Sequence, residues 1–315
     1  MDIRDFGRLG RVSSLTLGGG GIAGVWGSTD RAEAVATIRA AVDAGITMLD
    51  LAPAYGVDAE SERAAGEALR GSAADVMITT KVGLPDDTER DFEGRIRRSL
   101  AASLSRLGRD HLDLFLLHTQ LRPRDGSPSG TNHIGWDAYR DDVLPVFERL
   151  VAEGSIRGWG ITAVGHPASV ADALLEAPRP DAAQIVVNAL GMPGDLGGFD
   201  AAPVDLVPTA RANGVAVIGI RAVAAGSLTS SLDRSVPDDH PAAVDFARAE
   251  PFRKLAASFG ETPAALAHRY ALSVPGVATV VLGVKNRAEL AECVEASSKG
   301  PLTADEMAAV VGLRG

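Results

Sequence analysis

Four polar residues stand where short apolar runs end. Asp50 lies in the run 47–51, and Tyr55 follows it in Asp50-Leu-Ala-Pro-Ala-Tyr55-Gly56. Lys81 closes Ile78-Thr-Thr-Lys81, and His118 closes Leu114-Phe-Leu-Leu-His118. Together they suit proton donation to a carbonyl. A free tyrosine has a pKa of about 10, too high for an efficient acid at neutral pH. A nearby ammonium stabilises the phenolate and lowers that pKa. Asp50 would hold Lys81 in place, because a buried charge needs a partner. His118 would donate to the carbonyl oxygen and orient it, which completes a general acid–base arrangement. Taken singly, each residue has a plainer reading. An Asp at a strand end caps a loop, and a His beside an apolar run is a satisfied core residue. Tyr139 and Tyr270, the other tyrosines, lie in helical patterns and read as packing. The combination and its order point to chemistry.

Eight elements would have to position these residues. Apolar runs recur at 15–17, 47–51, 76–82, 112–117, 156–161, 183–187, 215–220 and 279–282. Short, continuous and rich in β-branched residues, they are the pattern of strands covered on both faces. Helical patterns lie between them. Asp30 reads as the N-cap of a helix running to about Ala44, with Gly45 beyond its end. Residues 94–107 read as a helix stopping at Gly108, and 136–153 as one stopping at Gly154. Alternating strand and helix means parallel strands with crossover helices. Eight units predict an α/β fold of the (β/α)8 TIM-barrel type, with an open doubly wound sheet as the competitor. One domain spans 1–315, and residues 303–313 form an extra C-terminal helix. The long loops 119–135 and 222–242 would lie at the C-terminal face, where barrel active sites sit.

Composition narrows the partners. The net charge is -10 over 315 residues. An acidic chain without basic clusters predicts no nucleic acid and no membrane surface as partner. The single Cys293, an N-terminus without a signal-peptide core and the lack of a long apolar run predict a cytoplasmic protein. The six histidines, at 111, 118, 133, 166, 240 and 268, form no i, i+4 pair, and no G-x-S-x-G is present. A metal site is therefore not expected, nor a serine hydrolase.

Two segments could face a cofactor. A G-x-G-x-x-G match begins at Gly19, but the helix signal comes only at Asp30, so a Rossmann fingerprint is disfavoured. Gly20 and Gly21 are instead expected to let cofactor or substrate approach the backbone closely. In Val281-Leu-Gly283-Val-Lys285-Asn286-Arg287-Ala-Glu289 a strand ends at Gly283 and a helix begins after Asn286. Free N–H groups with Lys285 and Arg287 beside them would make an anion site. An ordinary helix start with two solvated cations is the alternative.

The stretch from Ala44 to Gly56, followed by Ser61-Glu-Arg-Ala-Ala-Gly-Glu-Ala-Leu69, resembles the signature of the aldo-keto reductases. Lys81, His118 and Gly154-Ser-Ile-Arg-Gly-Trp-Gly-Ile161 match further landmarks. The resemblance implies a nicotinamide cofactor lying across the barrel mouth. It implies a tetrad with Tyr55 as acid, tuned by Asp50 and Lys81, and with His118 orienting the carbonyl. For the cofactor it implies contacts from Thr162 (in Thr162-Ala163, where many relatives have Ser-Asn), Gln184, Asn188 and Ile220-Arg221. It also implies contacts from Gly283, Lys285, Asn286, Arg287, Glu289 and Glu292, with Cys293 where an Asn is usual. Glu289 falls where relatives often carry a cation for the 2′-phosphate. NADP(H) is favoured slightly over NAD(H) by family habit. Trp26, Arg122, Arg124 and Arg221 are candidate substrate contacts, for a small carbonyl compound or a sugar. The implied activity is carbonyl–alcohol interconversion. Alternatives are an NAD-dependent aldose 1-dehydrogenase and a non-catalytic, cofactor-sensing subunit. A monomer is the expected state.

Overall fold

The computed structural model describes residues 1–85, 91–123, 132–192 and 206–314. Eight parallel strands close into a barrel. In chain order they are β1 (Leu15–Gly18), β2 (Met48–Asp50), β3 (Met77–Val82), β4 (Leu112–Leu117), β5 (Ile156–Thr162), β6 (Ala182–Val186), β7 (Ala216–Ile220) and β8 (Val277–Leu282). Each pairs with the next, and β8 returns to β1 through Val280↔Leu15 and Leu282↔Leu17. All eight runs became strands, so closure wins over the open sheet. β3 and β4 are buried at every position. Burial on both faces is why their sequences run apolar without alternation.

The helices form the outer layer. They include α1 (Arg31–Asp43), α2 (Glu60–Ala68), α3 (Phe92–Leu107), α4 (Leu144–Ala152), α5 (Pro167–Leu175), α6 (Leu206–Ala212), α7 (Pro263–Ser273) and α8 (Arg287–Ser298). Asp30 caps α1 by accepting from Glu33 N, and Gly45 follows with φ +85°. α3 starts two residues before the sequence pattern, because Asp91 caps it through Gly94 N. The helical pattern 136–153 is not one regular helix. A short turn at Trp136–Ala138 leads into a π-helical turn at Tyr139–Val143 before α4. Pro145, in the first turn of α4, has no N–H to return to the preceding turn, and the backbone widens there. The extra C-terminal helix is Ala304–Val311, closed by a capping box between Thr303 and Glu306.

Two features were not foreseen. A hairpin, Ile3–Asp5 paired with Arg11–Ser13, carries Phe6, Leu9 and Val12 into a cluster with Met48, Met77, Leu114, Leu116 and Ile218 from the strands. It plugs the N-terminal end of the barrel. Its strands are three residues each, too short for a periodicity to show. Two helices, Pro241–Arg248 and Glu250–Ser258, also lie between β7 and α7.

Candidate active site

Asp50 ends β2 and is 3% exposed; Lys81, beside it on β3, is fully buried. Neighbouring strands of a tilted parallel sheet bring both side chains to one level. Lys81 Nζ lies 2.8 Å from Asp50 Oδ1 and donates to Leu51 O at 2.8 Å. It also lies 4.7 Å from the centroid of the Tyr55 ring, where its charge acts on the phenol. Gln184, across the barrel on β6, donates to Asp50 Oδ1 at 2.7 Å. His118 follows β4 and meets Tyr55 edge-on, with ring centroids 5.8 Å apart.

The loop carrying Tyr55 is bent tightly. Tyr55 N donates to Ala52 O, and Tyr55 O accepts from Ser61 N. Gly56 takes φ +79°, and Asp58 and Ala59 are left-handed too. A Cβ on Gly56 would lie 2.8 Å from Ala23 O, so only glycine fits. Consecutive left-handed non-glycine residues are strained and persist only when surroundings hold them.

The electrostatics differ in one respect from the sequence expectation. Lys81 and Arg221 do pull the Tyr55 pKa down, but burial outweighs them and the net shift is upward. Desolvation of the phenolate is the larger effect. Asp50 and Tyr55 hold the Lys81 ammonium charged, its pKa raised despite burial. Burial, Lys81 and Arg221 push His118 down to about 3, so its imidazole is neutral at pH 7. It offers a neutral N–H rather than an ionised proton.

The residues expected on the cofactor side fall into two groups. Thr162 Oγ1, at the end of β5, lies 3.4 Å from Oε1 of Gln184, which sits midway along β6 next to Asp50. Ile220 ends β7, and Arg221 follows with φ +57°. The guanidinium carbons of Arg221 and Arg234 lie 5.6 and 5.7 Å from the Trp26 ring. These residues share the barrel mouth with the Asp50–Tyr55–Lys81–His118 cluster.

The second group is engaged with the protein itself. Gly20 and Gly21 are buried in a short helix, Gly19–Ile22, separate from α1. A Cβ on Gly21 would lie 2.1 Å from Val284 O, and one on Gly20 would lie 3.1 Å from Trp26 Nε1. The close approach seen here is to this chain's own backbone and indole. Lys285 pairs with Asp233 and, at 2.9 Å, with Glu289. Arg287 pairs with Glu33 at 3.0 Å. Three backbone N–H groups at the start of α8 are engaged as well. Lys285 N donates to Glu289, Arg287 N to Glu33, and Glu289 N to Asn286 Oδ1. Carboxylates of Glu289 and Glu33 sit at the expected anion seat, and the cations are not simply solvated.

Further out, Glu292 accepts from Thr262 at the start of α7. Cys293 lies beside His268, and burial followed by the nearby carboxylates of Glu292 and Glu289 pushes its thiol up to about 12. Asn188 spends its amide on both backbone groups of Met192. Arg122 follows a short strand, Gln120–Leu121, that pairs with His133–Ile134, and its carbonyl accepts from Ser169. Arg124 falls outside the described residues, as does much of the loop 119–135. Sequence reasoning missed Leu51 O, Glu33, Asp233 and Arg234. Leu51 O is a backbone atom, and the others gain meaning only from distant partners. Among the described residues no group of side chains is arranged to hold a metal, and no helix is long and apolar enough to cross a membrane.

A closed eight-stranded α/β barrel thus carries a buried Asp–Lys pair, a tyrosine and a histidine at its C-terminal mouth. The chain belongs to the aldo/keto reductase family, whose pattern it matches over residues 14–314. It is 27% identical to the L-galactose dehydrogenase of Arabidopsis thaliana over 304 residues, covering 94% of this chain and 88% of that protein. Its structure is similar to the holo form of an aldo-keto reductase from Bacillus halodurans, with a TM-score of 0.76, 24% identity, and 99% and 96% of the two chains covered. It is also similar to a glycerol dehydrogenase from Gluconobacter oxydans, with a TM-score of 0.74, 25% identity, and 99% and 94% covered.

Proposed function

We propose that this protein interconverts a carbonyl and an alcohol with a nicotinamide cofactor, Tyr55 passing the proton. The contact of Lys81 with Asp50, Leu51 O and Tyr55 carries this reading. The donors present suit the cofactor. Thr162 and Gln184 offer a hydroxyl and an amide for a carboxamide, and Arg221 and Arg234 bring positive charge for a diphosphate. When bound, the nicotinamide supplies or accepts the hydride. His118, neutral and beside Tyr55, donates a hydrogen bond to the carbonyl oxygen and points it at the phenol. Tyr55 gives its proton to that oxygen in reduction and takes it back in oxidation. The raised pKa keeps Tyr55 protonated, and Lys81 stabilises the phenolate as it forms. Low dielectric strengthens that attraction.

We read the cofactor as NAD(H), against the family habit. Glu33 and Glu289 occupy the α8 N-terminus that a 2′-phosphate would need, and they neutralise both nearby cations. A second anion there would meet like charge. A ribose hydroxyl could hydrogen-bond the carboxylate instead. A small-molecule substrate, a monomeric state, a single domain and a cytoplasmic location belong to the same reading. The likeness to L-galactose dehydrogenase across most of the chain favours a second reading, oxidation of an aldose at its anomeric carbon.

Quenching of Trp emission tests the cofactor. Titration with NADH should give the tighter curve, and NADPH the weaker. Binding of neither by the folded protein would remove the redox assignment. Tighter NADPH would overturn the NAD(H) reading alone.

A further inference from the structure

Glu62 is fully buried, yet it lies outside the cluster at the barrel mouth. It lies in the first turn of α2, next to Ser61, which is also fully buried. Three donors converge on its carboxylate. Thr80 Oγ1 donates at 2.5 Å and Ser103 Oγ at 2.8 Å, both to Oε1, and Arg106 Nε donates to Oε2 at 2.5 Å. Ser103 and Arg106 come from α3, so the network spans β3, α2 and α3. Thr80 precedes Lys81 on β3. Side chains alternate along a strand, so Thr80 faces the helices while Lys81 faces the barrel. Ser61 works on the neighbouring strand. Its hydroxyl donates to Ala52 O at 2.9 Å and accepts from Ala52 N at 3.4 Å. Ala52 follows Leu51, whose carbonyl accepts from Lys81 Nζ.

We propose that Ser61 and Glu62 are positioning residues for Lys81. Ser61 fixes the carbonyl that receives the ammonium, and Glu62 fixes the strand that carries it. Because the two are consecutive on one helical turn, they set the spacing between acceptor and donor as a rigid staple. Stability alone does not account for a buried charge here. A buried Glu–Arg pair adds little over an apolar filling of equal volume, while a fully satisfied network holds its members in one arrangement. Gly66 lets α2 approach α3 closely enough for the staple to form; a Cβ there would lie 2.2 Å from Arg106 O. The inference rests on the proposed reading of Lys81 and Tyr55.

The test uses Thr80→Val, which keeps volume and removes one donor to Glu62, together with Ser61→Ala and Glu62→Gln. Reduction of p-nitrobenzaldehyde by NADH is followed across pH, alongside NADH binding by fluorescence and a crystal structure of each variant. The expected result is a fall in kcat of about ten- to hundredfold, the scale of a misplaced catalytic group. The kcat–pH profile should shift, NADH affinity should not change, and Ser61→Thr should retain activity. In the crystals Lys81 Nζ should leave its contact with Leu51 O. Parent-like kcat and pH profile, or Lys81 Nζ still on Leu51 O in Thr80→Val and Ser61→Ala, would overturn the staple. A parent that binds NADH yet reduces no aldehyde counts against the reading of the site. The crystal structures then still decide the staple. Should Glu62→Gln fail to fold, Thr80→Val and Ser61→Ala, each missing a single hydroxyl contact, carry the test.

Discussion

The mouth of the barrel has two sides that treat charge differently. On the β2–β4 side, Asp50, Lys81 and Tyr55 meet in the interior, and one ammonium serves a carboxylate, a carbonyl and a phenol. On the β8 side, Lys285 and Arg287 are matched by Asp233, Glu289 and Glu33 at the surface. In the proposed reading the buried groups serve the chemistry and the surface pairs serve cofactor selection, where salt screens them.

Three variants would break or sharpen that contrast. Lys81→Met should have the largest effect. It removes the charge that stabilises the Tyr55 phenolate, and turnover should fall by about 10²–10⁴. It also leaves Asp50 buried without its cation, which costs about 3–5 kcal/mol in stability. Steady-state rates and urea unfolding read the two losses separately. Parent-like turnover in Lys81→Met would end the claim that the interior side is the chemical one.

The double variant Glu33→Gln, Glu289→Gln should act on the other side only. NADPH affinity should rise by about tenfold relative to NADH, equivalent to about 1.4 kcal/mol. Fluorescence titration with both dinucleotides measures the ratio, and an unchanged ratio would show that the acidic closure does not select.

The third effect concerns pH. His118 has its folded pKa depressed to about 3. The unfolded chain therefore binds a proton that the folded chain refuses as pH falls below about 6.5. Stability from this histidine is fully present above that pH. It declines by about 1.4 kcal/mol per unit toward pH 3. His118→Asn should flatten the fall of the urea midpoint between neutral and mildly acid pH. A slope identical to the parent would mean the imidazole is not held neutral.

Much of the interior side was legible without coordinates. Asp50, Lys81 and His118 sit at ends of continuous apolar runs, and parallel strands of one barrel bring such ends to one level. The caps at Asp30 and Thr303, and the stop at Gly108, follow local rules as well. The π-helical turn before Leu144 escaped notice because Pro145 lies inside an otherwise sound amphipathic pattern. The basal hairpin escaped because it is too short to show a period.

What the amino-acid order determined by itself is therefore local or periodic: eight strands, their helices, and polar residues at strand ends. Tertiary structure decided which charges meet and which influence on a titrating group prevails. Glu33 and Arg287 are 254 residues apart, and no pattern announces their bond. Tyr55 has a cation beside it, as its neighbours suggest, yet its pKa rises because desolvation depends on everything packed around it. Burial and through-space pairing are sums over distant segments, and only folding brings those segments together.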